Sequence, residues 1–430
     1  MRQSNKWVLG LVLALGLVSG CKRGADPNTI RFRYWGDTEE VKIIEGLLKE
    51  FEAANPGVKV KPERKNADST YADVLLQEFA ANTAPDVIFV STDNVDLLSG
   101  SGKLADLNPL LEKDGDLKAA DYYPAMVKRF TKDGKFLVLP RDIAPVSCVY
   151  YNKDLFDKAK VAYPKDDWNW DDLREKALKL TIREKDESLT QAGFADDWNL
   201  SDAWILAGGG QHMDDFFNPT KFTFADSPAI DGILYRFKLQ MIDQVMPSSS
   251  DNKSLNGGAM AMFLNGNLAM FHSGLWKTPS FRKIKNFKWD MAIFPHKKGV
   301  KDALYWVGGS GYTMRSDVVN PELCWKLVKF MAGKEGETRI ASTGLAQPAL
   351  MALAASPVFL DGQDPQNKKV LLTAALHGLA SPAWRPWVEF TRSIWGPSTD
   401  PIWIKGYKGD PTVVLKETQA KANEKFFPKK

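Results

Sequence analysis

The sequence predicts an α/β protein of two lobes, each a mainly parallel sheet flanked by helices, with a ligand cleft at the hinge between them. Three observations lead there. Strand and helix periods alternate from residue 29 to residue 91, as βαβαβ units do. Pro140 and Pro145, five residues apart in the stretch Leu139 to Phe156, suit a stiff extended connector and not a helix, since proline fixes φ and removes a donor. The chain has 430 residues, 44% of them apolar, which is material for more than one core.

The first twenty residues read as a secretory signal, not as fold. Arg2 and Lys6 form a short basic region, Trp7 to Val18 is apolar, and Val18-Ser19-Gly20 is a small-residue exit before Cys21. The apolar run is too short to span a bilayer comfortably. Leu17-Val18-Ser19-Gly20-Cys21 resembles a bacterial lipobox, which implies cleavage before Cys21, acylation there and a membrane anchor. Removing Arg2 and Lys6 takes the formal charge from +4 to about +2. Lys22 is not the aspartate that typically retains such lipoproteins in the inner membrane. Residues 21–28 read as a polar tether.

Ile30, Phe32 and Tyr34 alternate with Arg31 and Arg33, the period of a strand that ends at Trp35-Gly36-Asp37. Ile44, Leu47, Leu48 and Phe51 then share one helix face, stopped by Asn55-Pro56-Gly57. Val58 and Val60 mark a second strand. Tyr71, Val74, Leu75 and Phe79 mark a second helix, and Val87 to Val90 is apolar on both faces like a central strand. Ligands of parallel sheets bind outside the carboxyl ends of the strands. Those ends are Trp35-Gly36-Asp37, Asn66-Ala67-Asp68 and Ser91-Thr92-Asp93.

Phe136 to Leu139 reads as a strand that stops at Pro140. A new β-rich run begins after Pro145 and ends at Asn152-Lys153-Asp154. The intervening residues are either a hinge, with Arg141 and Asp142 facing the cleft, or part of a strand inside one domain. Downstream, Trp168 to Leu173 enters a helix through an acidic first turn. Ser201 to Ala207 is a short helix, and Ser227-Pro228 caps another running to about Asp243. Leu268 to Phe271 and Trp289 to Phe294 read as strands. Trp306 to Gly311 reads as a glycine-rich loop before a strand at Tyr312 to Met314.

The 57 basic and 53 acidic residues are interspersed, which argues against a nucleic-acid footprint. The four histidines, His212, His272, His296 and His377, lack metal-ligand spacing, so no metal or cofactor is expected. Gly308 to Gly311 fails as a nucleophile elbow, because Tyr312 fills the last place, and Gly100 to Lys103 fails as a phosphate loop. Cys148 and Cys324 read as buried small apolar residues and not as a bridge. Carboxylates are plentiful, so a paired-carboxylate glycosidase stays open, although no pair stands out.

Nine segments in order carry a family resemblance. They are the lipobox at Cys21, FRYWGD at Phe32–Asp37, FEAANPGVKV at Phe51–Val60, APDVIFV at Ala84–Val90, and KLADLNPLLE at Lys103–Glu112. VYYNKDLFDKAKV at Val149–Val161, WNWDDL at Trp168–Leu173, FLNGNLAMFHSGLW at Phe263–Trp276, and GGSGYTM at Gly308–Met314 complete them. Together the mature chain resembles the family 1 extracellular solute-binding proteins of ABC importers, the sugar-binding group. Arg141-Asp142 departs from many members, which carry a smaller or aromatic residue before the acid. The resemblance implies a two-lobe periplasmic-binding-protein-like II fold and a monomer. It also implies capture of a sugar or oligosaccharide and delivery to the transmembrane subunits of a permease. The lobes would be 29–142 plus 296–346 and 143–295 plus 347–430, with crossings near 140–146, 293–298 and 344–348.

A sugar cleft needs flat aromatic platforms for C–H faces and polar groups for hydroxyls. The platform candidates are Trp35, Trp204, Trp276, Trp306 and Trp384. The hydroxyl-binding candidates are Asp37, Asp93, Arg141, Asp142, Ser273 and Ser310. Asp37 has the competing role of helix cap. The alternatives are a carbohydrate hydrolase in a similar shell, or a binder of a non-sugar solute such as a polyamine or glycerol phosphate.

Overall fold

The structure, a computed structural model, describes residues 26–65, 70–216, 218–248, 251, 258–301, 304–380, 382, 384 and 386–428. The expected signal, Cys21 and the Asn66-Ala67-Asp68 strand end lie outside the described residues. In chain order the strands are β1 (Thr29–Tyr34), β2 (Lys59–Arg64), β3 (Val87–Ser91), β4 (Thr131–Lys132), β5 (Lys135–Phe136) and β6 (Leu139–Pro145). They continue with β7 (Cys148–Asn152), β8 (Ile182–Arg183), β9 (Leu189–Gln191), β10 (Ala195–Asp196) and β11 (Met270–Ser273). The last are β12 (Trp289–Ile293), β13 (Tyr305–Met314), β14 (Gln347–Pro348) and β15 (Gly378–Leu379).

Two sheets organise the molecule. The first has the order β14-β6-β13-β3-β1-β2, with β15 also on β13; the second is β10-β11-β7-β12. The opening βαβαβ forms as the periods predict. Helix α1 (Thr38–Ala54) buries Ile44, Leu47, Leu48 and Phe51, and helix α2 (Tyr71–Ala80) buries Tyr71, Leu75 and Phe79. Strands β1, β2 and β3 pair in parallel. Elsewhere the sheets are less parallel than expected. Strand β13 runs antiparallel to β3 and β6, and β7 runs antiparallel to β11 and β12. The first core fills around the first sheet, and two cores cover the two faces of the second. A fourth cluster gathers the C-terminal helices, including Phe390, Ile394 and Leu415, against Ile205 and Phe222.

Two loop readings become strand. Residues Trp306 to Gly311 are the first half of β13, paired with β6. The glycines serve close packing there: a Cβ on Gly311 would sit 2.2 Å from the Leu139 carbonyl oxygen, and one on Gly309 2.4 Å from Met126 Sδ. Strand β6 also does not stop at Pro140. Its register on β13 slips between Ser310, opposite Asp142, and Gly311, opposite Pro140, which leaves Arg141 as the extra residue of a β-bulge. Proline is tolerated in a sheet at such irregularities, where a ladder donor is not required. Pro228 is itself the cap position of the helix Ala229–Phe237 instead of its first helical residue, so Ser227 lies one place before the cap.

The chain passes from β6 in the first sheet to β7 in the second across Val146 and Ser147. Residues just after β12 stay on the second half: Trp170 Nε1 donates to the Pro295 carbonyl at 3.0 Å, and Lys297 N to the Ala207 carbonyl at 2.9 Å. Strand β13 then returns to the first sheet. Strand β14 still belongs to the first sheet and Ala354 to the first core, whereas Phe359 belongs to a core of the second. Cys148 and Cys324 are both buried and unbridged. No helix among the described residues is long and apolar enough to cross a membrane.

Candidate functional site

The loops after β1 and β3, the bulged strand β6, the start of β13 and the loop after β11 converge on one cavity of about 430 Å³. Eight sequence candidates line it: Trp35, Asp37, Asp93, Arg141, Asp142, Trp276, Trp306 and Ser310. Ser91 and Thr92, from an expected strand end, line it too, and lining residues that the sequence reading missed are Glu40, Phe89, Ala144, Val146, Trp198 and Lys277.

The bulge explains how adjacent residues share one face. Side chains normally alternate across a strand, so Arg141 and Asp142 would point apart. With Arg141 as the extra residue, its Nε donates to Asp142 Oδ2 at 2.5 Å. Its other arm donates to Glu40 Oε1 at 2.8 Å, and the guanidinium carbon lies 4.3 Å from the centre of the Phe89 ring. Asp142 also accepts from the Ser310 backbone N–H at 3.1 Å and from Ser310 Oγ at 2.7 Å. Burial opposes the arginine charge, yet Asp142 and Glu40 hold its pKa above the ordinary value. Burial likewise pushes the Glu40 carboxyl above the usual range, against the pull of Arg141.

Trp35 is half-buried and stacked on Phe89, with centroids 4.2 Å apart, and its neighbour Tyr71 meets it edge-on. Asp37 does cap α1: one carboxylate oxygen accepts from Glu39 N and Glu40 N at 3.0 and 3.1 Å. It is exposed and lines the cavity as well. From the second half, Trp276 lies half-buried against both cores and stacks with Trp198 at 6.0 Å and 26°. Gly274 makes room for it, since a Cβ there would fall 2.0 Å from the Trp276 ring. Lys277 pairs with Asp197 at 3.0 Å.

Three candidates do not reach the cavity. Trp204 is completely buried in the second core, its Nε1 donating to Asp196 at 3.1 Å; its helix presents that face to the core. Ser273 is buried at the end of β11 and donates to Asp197 at 2.9 Å. Trp384 packs on Phe222, Phe426 and Phe427 in the C-terminal cluster. Trp198 had only a weak signal in sequence, an indole in a loop after a strand; it is 44% exposed. Among the described residues no group of three or more histidine, cysteine or acidic side chains could hold a metal ion.

Two α/β halves joined by short crossings around one indole-lined cavity define a two-lobe solute-binding protein. The chain belongs to the bacterial extracellular solute-binding protein family, whose model matches residues 35–338. It is 26% identical over 332 residues to maltodextrin-binding protein MdxE of Bacillus subtilis (strain 168), covering 75% of this chain and 74% of that one. It is 23% identical over 306 residues to sn-glycerol-3-phosphate-binding periplasmic protein UgpB of Escherichia coli, covering 68% and 66%. The fold matches that of ABC substrate-binding protein Lmo0181 from Listeria monocytogenes, solved in complex with cycloalternan. The TM-score is 0.81 at 23% identity, over 93% of this chain and 99% of that one.

Proposed function

We propose that this protein captures a neutral sugar or oligosaccharide in the cavity and delivers it to the membrane subunits of an ABC importer. The observation that carries this reading is the lining itself: four indoles, Trp35, Trp198, Trp276 and Trp306, interleaved with carboxylates and the hydroxyl residues Ser91, Thr92 and Ser310. Indole faces suit sugar C–H faces, and the polar groups suit a rim of hydroxyls. A binder of this kind closes its lobes because the ligand contacts both.

The charge balance separates two solute classes. The lining holds four carboxylates, Asp37, Glu40, Asp93 and Asp142, against Arg141 and Lys277. Both cations are already paired, Arg141 with Glu40 and Asp142, and Lys277 with Asp197. An anionic solute such as glycerol phosphate would meet a net negative wall.

The same reading includes export and a lipid anchor at Cys21, supported by the lipobox-like run Leu17 to Cys21, and takes the protein as a monomer. It places the lobe boundaries by sheet and core membership. The first crossing falls at Val146–Ser147, the second between Lys297 and Tyr305, and the third between Ala354 and Phe359.

A thermal-shift panel tests it. Saturating maltodextrins or other saccharides should raise the unfolding midpoint, since a ligand at 100 times its Kd adds about 2.7 kcal/mol. Glycerol 3-phosphate and spermidine should not, and the saccharide should be recovered intact. A new reducing end would support the hydrolase reading instead, and a shift with glycerol 3-phosphate alone would overturn the choice of solute.

A further inference from the structure

His272 lies on β11, fully buried, with its ring stacked on Phe294 at 3.9 Å and facing Phe194 at 6.4 Å. It does not line the cavity, yet it is bonded to a residue that does. Its Nε2 is 3.1 Å from the carbonyl oxygen of Val146, and its Nδ1 is 2.8 Å from Asp196 Oδ1. A carbonyl oxygen only accepts. Asp196 is also an acceptor. Burial alone would raise its carboxyl, but Arg236, at 2.7 Å, and His272 hold it below the usual range. Both ring nitrogens therefore face acceptors, and the ring satisfies both only when each nitrogen carries a hydrogen.

Val146 is the crossing residue between the two sheets, and its own N–H donates to the carbonyl of Trp306 at 2.9 Å. One residue is thus tied by its N–H to β13 of the first sheet and by its C=O to β11 of the second. Val146 and Trp306 both line the cavity.

We propose that His272 is a positioning residue for solute capture: as a double donor it clamps the crossing at Val146, and through it the setting of Trp306, and the clamp slackens when the ring loses one proton. This rests on reading the cavity as the solute site. The charged groups around the ring are few. They are Asp196 on β10, 2.8 Å from Nδ1, and behind it Arg236 on the helix Ala229–Phe237, which is paired with Asp196. Asp197 donates its N–H to the His272 carbonyl at 3.0 Å, and its carboxylate is taken up by Lys277 and Ser273. Phe294 and Phe194 bring no charge. Capture should therefore weaken as the solution becomes alkaline.

The test is side-chain nitrogen NMR of the histidines in the full chain, without ligand, from about pH 5 to about pH 9. His272 should carry both ring hydrogens at the acid end, and the Val146 amide and Trp306 indole signals should move along its titration curve. His272→Gln keeps a neutral donor toward Val146, so those signals should stay near their acid positions at every pH; His272→Leu should fix them at the alkaline ones. Calorimetry with maltotriose should show wild-type affinity falling roughly three-fold or more across that range, with His272→Gln flat. A ring with one hydrogen throughout, or Val146 and Trp306 signals that ignore its titration, overturns the clamp, and wild-type spectra alone decide this if a variant misfolds. Coupled signals without maltotriose binding at any pH would uphold the clamp and overturn the choice of sugar.

Discussion

Trp198 and Gly274 act on the same indole pair from opposite directions. Trp198 is largely exposed, so Trp198→Ala should remove ligand contact at little cost to the fold. We expect affinity for the saccharide with the largest thermal shift to fall about ten-fold, with stability within about 0.5 kcal/mol of wild type. Gly274→Ala places a methyl group inside the volume of the Trp276 ring, which must swing away. Calorimetry and urea unfolding should show both affinity and stability falling for that variant. If Trp198→Ala binds like wild type, the indole pair is packing and not platform.

Arg141 carries a different cost. Its removal in Arg141→Leu leaves Glu40 and Asp142 buried beside each other without their cation. Breaking such a pair costs about 3–5 kcal/mol. The pH dependence has a definite sign. The Glu40 carboxyl is already raised in the folded state, so the native form holds its proton more tightly than the unfolded one. Losing Arg141 raises it further. The variant's deficit should then be smallest near the ordinary carboxylate value of 4.5 and grow as pH rises above it, read by urea unfolding at several pH values.

At the scale of elements, the βαβαβ opening was legible because each apolar stripe has one period and one core to face. The bulge in β6 was not. Proline in the sequence signalled a stop, since it cannot donate to a ladder, but a slip in register lets Pro140 stay in the sheet and turns Arg141 onto the face of Asp142. The glycines of β13 read as a loop for a related reason: their use is to admit neighbouring backbone and Met126, which no local pattern reports. Another element contact yields a prediction. Asp243 ties the helix Trp170–Leu180 to the end of the helical segment Lys238–Ile242 through Arg174, at 2.7 and 2.8 Å, and Lys238, at 2.7 and 3.0 Å. Arg174 and then Lys238 hold its carboxyl below the model-compound value of 3.8. Its stabilisation is present above that value and is lost as pH falls below it. Asp243→Asn should cost about 1 kcal/mol at neutral pH, since both partners are partly exposed, and flatten the acid limb of the stability curve. An unchanged acid limb would show that the pair contributes nothing.

At the scale of the whole molecule, two ion pairs among the described residues bridge the halves. Lys283, beside the second-sheet core, meets Glu39 of α1 at 2.7 Å, and Arg392 of the C-terminal cluster meets Asp73 of α2 at 2.9 Å. All four side chains are at least partly exposed, so salt screens both pairs. They hold the two halves together without lining the cavity, so Glu39→Gln with Asp73→Asn should loosen that arrangement and weaken binding at most a few-fold. The difference from wild type should vanish in high salt. Small-angle scattering and calorimetry at two salt concentrations check this; an effect indifferent to salt would rule out the charges as its source.

The sequence by itself determined the class: alternating periods, ordered family segments and strand ends rich in Trp and Asp are local or linear features, readable without contacts. It also nominated Trp35 and Trp276, after strand ends, and Asp142, at the expected hinge, for one cleft. Tertiary structure alone decided which indoles serve the cavity. Trp204 and Trp198 are six residues apart, one fully buried and the other exposed, and the sequence nominated the helical Trp204 and passed over Trp198 in its loop. The choice depends on which surface of the short helix Ser201–Ala207 meets the second core, a contact made by residues distant in the chain. The Val146 crossing is settled in the same way, by His272 and Trp306, more than a hundred residues downstream.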